Sequence, residues 1–178
     1  MRWIATWCLL AGLLAAQGLK VGSTVGSRVT GVDVTGTTVI LFVSAQCPVS
    51  NAYNDRMEQL YKDYSARGVQ FRFVNANHNE KQDLIDRHRT DMGFSFPVER
   101  DEGNRLADRL SATVTPEAYV FDKTGVLRYH GHIDDAQNPA RIRTRGLRDA
   151  LDAVLDGGDV PAPETRAFGC TIKRVRKS

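Results

Sequence analysis

The run from Thr38 to Val43 (Thr-Val-Ile-Leu-Phe-Val) is the feature that most constrains the fold. Its residues are β-branched, aliphatic or aromatic and show no polar alternation, which is the pattern of a central strand buried on both faces. Pro48 breaks this run. Beyond it Tyr53, Met57, Leu60, Tyr61 and Tyr64 recur at i, i+4, i+7, i+8 and i+11, the stripe of an amphipathic helix that Gly68 ends. A buried strand that feeds a helix through a short loop predicts an α/β domain. Its functional side chains then belong at the carboxyl edge of the sheet.

The rest of the chain extends this pattern. Val69–Val74 reads as a second strand and residues 80–92 as a helix with charged faces. Phe96–Val98 is a short extended piece, and residues 103–110 form a short helix. Glu117–Phe121 and Val126–His132 are strands joined by a turn, Asp122-Lys-Thr-Gly125, with glycine in its last place. Leu147, Leu151, Val154 and Leu155 stripe a last helix that Gly157-Gly158 stops. A βαβ unit followed by ββα implies a mixed central sheet flanked by helices. Residues 17–37, rich in Gly, Thr, Ser and Val, read as an N-terminal extension with a loop and a short hairpin.

A length of 178 residues fits one domain of about 100–200 residues. With 24 Lys+Arg against 21 Asp+Glu, the charge of +3 is too balanced to imply a nucleic-acid partner. Residues 1–16 read as a signal peptide: Met1-Arg2, then an almost wholly apolar run to Leu14, then Ala15-Ala16 before Gln17. That run is short of the roughly 20 residues a spanning helix needs, so a membrane role rests only on an uncleaved signal segment. The expected location is periplasmic or secreted, and Cys8 is lost on processing. Residues 17–158 then form the domain. Residues 159–178 form a Pro-rich and basic tail whose end, Lys173-Arg-Val-Arg-Lys177, reads as frayed and solvated.

Two cysteines remain, Cys47 and Cys170. Cys47 sits in the strand-to-helix loop, followed by a proline suited to a first helical turn. Free backbone N–H groups there favour thiolate over thiol, and the thiolate is the nucleophile in disulfide exchange. For Cys170 two readings stay open: a resolving thiol on a mobile tail, or a tail residue packed on the domain. Thr115-Pro116, opening a strand, is a candidate cis peptide. His130-x-His132 on a strand places both rings on one face, which with Cys47 makes a candidate set for copper or zinc. Asp134-Asp135 reads as a turn or helix cap.

The segment Phe42-Val-Ser-Ala-Gln-Cys47-Pro-Val-Ser50 resembles the thioredoxin active-site segment. Thr115-Pro116 resembles the cis-proline loop that faces the nucleophilic cysteine in that fold. Gly125 with Gly131-His-Ile-Asp-Asp135 resembles the hairpin of redoxin domains of the alkyl hydroperoxide reductase/thiol-specific antioxidant family, and Pro163-Glu-Thr with Gly169-Cys170-Thr-Ile-Lys resembles the tail of a peroxiredoxin-like subgroup. The resemblance implies a thioredoxin fold over about residues 20–156 and a thiol oxidoreductase. It implies Cys47 as nucleophile, Ser44, Ser50, Thr115 and Pro116 beside it, and Cys170 as the possible resolving thiol. No cofactor is implied. The partners would be a thiol or disulfide substrate or a hydroperoxide, with an external thiol reductant.

The departures from the resemblance define three functions to separate. Ser50 stands where dithiol thioredoxins carry a second cysteine, so the motif holds a single reactive cysteine for thiol–disulfide exchange. Peroxiredoxins want Pro-x-x-x-Thr/Ser-x-x-Cys; Ser44 supplies the hydroxyl but Ile40 replaces the proline, and Arg128 is a candidate for a peroxide-stabilising cation. A non-catalytic copper- or thiol-binding module is the third possibility.

Overall fold

The computed structural model describes residues 19–29 and 31–176; the signal-peptide reading and Cys8 lie outside them. Two short strands, β1 (Arg28–Val29) and β2 (Val32–Asp33), form a hairpin ahead of the main sheet. The central strand β3 spans Thr38–Phe42 and is buried at every position. It leads to α1 (Pro48–Asn51) and α2 (Asn54–Ser65), then β4 (Gln70–Asn75), α3 (Gln82–Asp91) and β5 (Val98–Arg100). The second half holds α4 (Arg105–Leu110), β6 (Val114–Thr115), β7 (Glu117–Phe121), β8 (Leu127–Gly131), α5 (Gly146–Leu155) and β9 (Cys170–Thr171).

The main sheet has the order β5-β4-β3-β7-β8. β3 runs parallel to β4 and antiparallel to β7, so the sheet is mixed. Side-chain alternation along β3 divides the core in two. Val39, Leu41 and Val43 face a cluster filled by Met57, Leu60 and Tyr64 of α2, Ile85 of α3, and Leu147, Ala150 and Leu151 of α5. Ile40 and Phe42 face the other side, where Val29 and Val32 of the hairpin and Leu106, Ala107 and Leu110 of α4 cover the sheet. This double burial is why Val39 to Phe42 are all apolar. Gly125 closes the β7–β8 turn with φ +77°, and a Cβ there would lie 2.1 Å from the Gly26 carbonyl oxygen, so the N-terminal extension can pack on the turn only because this residue is glycine.

Two sequence expectations change. The first helix is interrupted at Ala52-Tyr53, where the Tyr53 N–H reaches back three residues to the Ser50 carbonyl and closes a tighter turn. The basic tail is docked over residues 172–175 instead of frayed. Ile172, 3% exposed, is part of the core on the α4 side. The Lys173 N–H donates to Asn77 Oδ1, the His78 N–H to the Lys173 carbonyl, and the Val175 N–H to Asn104 Oδ1. Arg174 pairs with Asp108 and donates to the Ala112 carbonyl. One apolar side chain and a row of backbone partners dock a segment whose composition alone reads as solvated.

Candidate active site

Parallel pairing of β3 with β4, and antiparallel pairing with β7, gathers three chain segments at one sheet edge: the loop after Phe42, the loop after Asn75 and the segment before Glu117. Cys47 lies in the first, as the N-cap of α1, with its sulfur accepting the Ser50 N–H at 3.3 Å. That N–H points at the atom that must carry negative charge in a thiolate. The sulfur also lies 3.4 Å from the Thr115 carbonyl oxygen, and Cys47 is 3% exposed. The Thr115–Pro116 bond is cis.

The second thiol arrives from the tail. β9 pairs antiparallel with β6, Cys170 opposite Thr115 and Thr171 opposite Val114. This register brings Cys170 beside Cys47, and the two are joined in a disulfide with Cα atoms 5.9 Å apart. The tail segment runs so close to the cis-proline loop that a Cβ on Gly169 would lie 1.9 Å from the Thr115 carbonyl oxygen. Gly169→Ala is expected to push β9 off β6. It should destabilise the oxidised protein by about 1–3 kcal/mol and slow closure of the disulfide, as thermal unfolding and reoxidation kinetics would read. An unchanged reoxidation rate would mean that this close approach is not needed to align the thiols.

The sequence offered no sign of Glu80, which organises the Cys47 loop from the segment after β4. Its buried carboxyl group accepts the Ser44 hydroxyl on Oε1 (2.6 Å), and the Ala45 N–H and an Asn75 Nδ2–H on Oε2 (both 2.7 Å). Ser44 Oγ in turn accepts the N–H groups of Cys47 (3.0 Å) and Gln46 (3.2 Å), and the Ser44 N–H donates to Ser50 Oγ. Ser44 and Ser50 therefore brace the loop from within. Only the position of Glu80, in the loop following a strand parallel to β3, could have pointed to it. Glu80→Gln places an amide hydrogen where Ser44 Oγ already accepts two N–H groups. The expected cost is about 1–3 kcal/mol, with slower Cys47 reaction; a variant matching the parent in unfolding temperature and thiol reactivity would refute the bracing role.

Glu117, at the start of β7, accepts the Thr113 and Val114 N–H groups and bonds to Tyr119 and to His130 Nε2. Burial alone would raise its carboxyl, but the His130 ring and the two N–H groups hold it below the usual carboxylate range. His130 stacks on Tyr119, on the α4 side of the sheet. His132 does not share that face: its ring borders Gly146 of α5, next to the Tyr129 hydroxyl. Gly131, with φ +155°, ends β8 between the two histidines, so the strict alternation of a strand no longer applies. Burial lowers the His132 imidazole, partly opposed by Asp135 and Asp134. Among the described residues no three His, Cys, Asp or Glu side chains gather as a metal site, and Cys47, His130 and His132 form none.

Arg128 sits at the opposite edge of the sheet from Cys47, bonded to Asp122 and the Gly158 carbonyl. That edge follows from the register, in which Phe121 pairs with Thr38 at the start of β3. Asp135 caps a loop by accepting the Arg143 and Thr144 N–H groups. Asp134, by contrast, is buried against Arg56, whose guanidinium lies 3.7 Å over the Tyr53 ring. Tyr53 contacts Phe168 at a ring separation of 6.3 Å, which holds the tail on the other side of Cys170.

The model of the AhpC/TSA family matches residues 15–130. No curated protein matches the chain. Among solved structures, a hypothetical protein from Sinorhizobium meliloti 1021 is similar at 24% identity and a TM-score of 0.77, over 90% of this chain and 98% of its own. An uncharacterized conserved protein from Geobacillus kaustophilus is 26% identical, with a TM-score of 0.75 over 93% and 96%. A putative thiol:disulfide interchange protein DsbE from Chlorobium tepidum is 20% identical, with a TM-score of 0.62 over 78% and 99%. The architecture these share is the thioredoxin fold, and the family match spans more than half of the sequence: the chain belongs to the AhpC/TSA family.

Proposed function

We propose that this protein is a thiol oxidoreductase in which Cys47 attacks a disulfide and Cys170 resolves the product. The observation that carries the reading is the Cys47–Cys170 disulfide at the N-terminus of α1, beside the Ser50 N–H and the Thr115 carbonyl. In the forward half-reaction the Cys47 thiolate displaces one thiolate from a substrate RSSR and forms Cys47–S–S–R. Cys170, after losing its proton, attacks the Cys47 sulfur, closes the internal disulfide and releases the second RS⁻. Two electrons pass from the protein to the substrate, and an external dithiol returns them. The centre is thus a dithiol whose partner comes from the tail, in place of the single-cysteine motif that Cys-Pro-Val-Ser suggests.

The peroxidase alternative is less well supported. The Ser44 hydroxyl that would polarise a peroxide spends its hydrogen on Glu80, Ile40 lies buried in β3 where a proline is wanted, and Arg128 is at the far edge. Export is part of the proposal. It rests on the signal-like residues 1–16. Reduced protein exposed to oxidised glutathione should pass through a Cys47–glutathione adduct to the internal disulfide, as mass spectrometry of quenched samples would follow. If hydrogen peroxide closes the disulfide rapidly while glutathione disulfide does not, the peroxidase reading replaces this one.

A further inference from the structure

An unpaired strand edge beside a reactive cysteine is where an extended polypeptide adds, because its free N–H and C=O groups are the only backbone partners on offer. In this protein that edge is β6, and it is already taken: β9 fills it in antiparallel register, with Cys170 in the place where a substrate cysteine would lie. The tail is held on both flanks of Cys170 by contacts that do not involve sulfur. Upstream, the His130 N–H donates to the Pro163 carbonyl, the Thr165 N–H donates to the His130 carbonyl, and Phe168 packs on Tyr53. Downstream, the Ile172 N–H donates to the Thr113 carbonyl at 2.9 Å, Ile172 is buried, and Lys173 and Val175 bond to Asn77 and Asn104. Cutting the disulfide removes none of these.

We infer that β9 stays docked in the reduced protein and restricts Cys47 to small, low-molecular-weight disulfides, excluding disulfides embedded in a polypeptide. This rests on the exchange reading above and names its substrate class. A small RSSR needs only a local opening over the Cys47 sulfur, which is 3% exposed in the oxidised protein. A polypeptide disulfide needs the β6 edge, and to reach it must strip β9 from its backbone partners and expose Ile172. The same anchoring keeps the Cys170 thiol beside Cys47, so the mixed disulfide is resolved within the chain before a second molecule can intervene. Electrons balance as before: the protein dithiol becomes a disulfide while one small disulfide becomes two thiols.

The test compares two oxidants of the full reduced chain, hydroxyethyl disulfide and insulin, by the rate at which Cys47 loses its free thiol. The small disulfide is expected to react at least about tenfold faster after correction for the intrinsic reactivity of each oxidant toward a free thiol. Ile172→Asp, which releases the tail, should narrow that ratio by about tenfold or more. Should Ile172→Asp fail to fold, hydrogen exchange on reduced wild type gives the same information: the Ile172, Lys173 and Val175 amides should stay protected. Equal corrected rates with insulin and hydroxyethyl disulfide, or loss of that protection on reduction, would overturn the inference while leaving the exchange reading intact. Failure of hydroxyethyl disulfide to yield the Cys47–Cys170 bridge would instead overturn the exchange reading itself.

Discussion

Cys170→Ser is expected to stop the reaction of this protein halfway. Cys47 will still attack a small disulfide, since the Ser50 N–H and the loop braced by Ser44 and Glu80 are untouched. The mixed disulfide then has no internal thiol to resolve it and accumulates to about one equivalent per chain. Cys47→Ser removes the attacking sulfur, and its turnover should fall by at least about a hundredfold. Cys170 alone does not replace it, because Cys170 lies in a strand with no N–H donor of a helix N-cap aimed at it among the described residues. Mass spectrometry of each variant after a pulse of oxidised glutathione checks both outcomes. Equal trapping on Cys170 in the Cys47→Ser variant would show that the two thiols are interchangeable and that the geometry around Cys47 confers nothing.

Reduction should also cost the protein a large share of its stability. The disulfide links positions separated by 123 residues in sequence. In the chain-entropy account, removing a cross-link of that span relaxes the unfolded ensemble by about 4–5 kcal/mol. For a chain of this size that corresponds to a fall in Tm of roughly 10 °C or more. The docked tail sets the lower limit of structure in the reduced state: its backbone bonds and the buried Ile172 remain, so reduction lowers Tm without unfolding the domain. Thermal unfolding with and without reductant measures the difference, and the Cys170→Ser variant should unfold where the reduced parent does. A reduced protein as stable as the oxidised one would mean that the cross-link is offset by strain in the folded state or by residual structure in the unfolded one.

The fold was legible wherever burial leaves a periodic trace. The unbroken apolar run of β3 reports its place in the middle of the sheet, because both of its faces meet core. The stripe of Tyr53, Met57, Leu60 and Tyr64 reports α2, and the Asp122–Gly125 turn reports the β7–β8 hairpin. The place of Cys47 at the strand-to-helix junction was legible for the same reason, since it follows a readable strand and precedes a readable proline. Glu80 was not, because a single acidic residue in a loop carries no period and gains its meaning only from three donors on other segments.

The tail misleads for a related reason. Its docking depends on backbone groups that every sequence has, on Asn77 and Asn104 far away in the chain, and on one isoleucine among Lys and Arg. Composition averages that isoleucine away. The two histidines show the opposite: a strand period puts both rings on one face, but Gly131 ends the strand between them. Ser44 shows a third: a hydroxyl three residues before the cysteine fits a peroxidase pattern, yet here it serves the loop backbone.

The exchange chemistry depends on the pairing of Cys47 with Cys170, and peptide mapping of the oxidised protein under non-reducing conditions tests it most directly. One cross-linked species is expected, joining the peptide that contains Cys47 to the peptide that contains Cys170 within a single chain and absent after reduction. Two separately alkylated cysteines, or a Cys47 linked to a second copy of the chain, would contradict it.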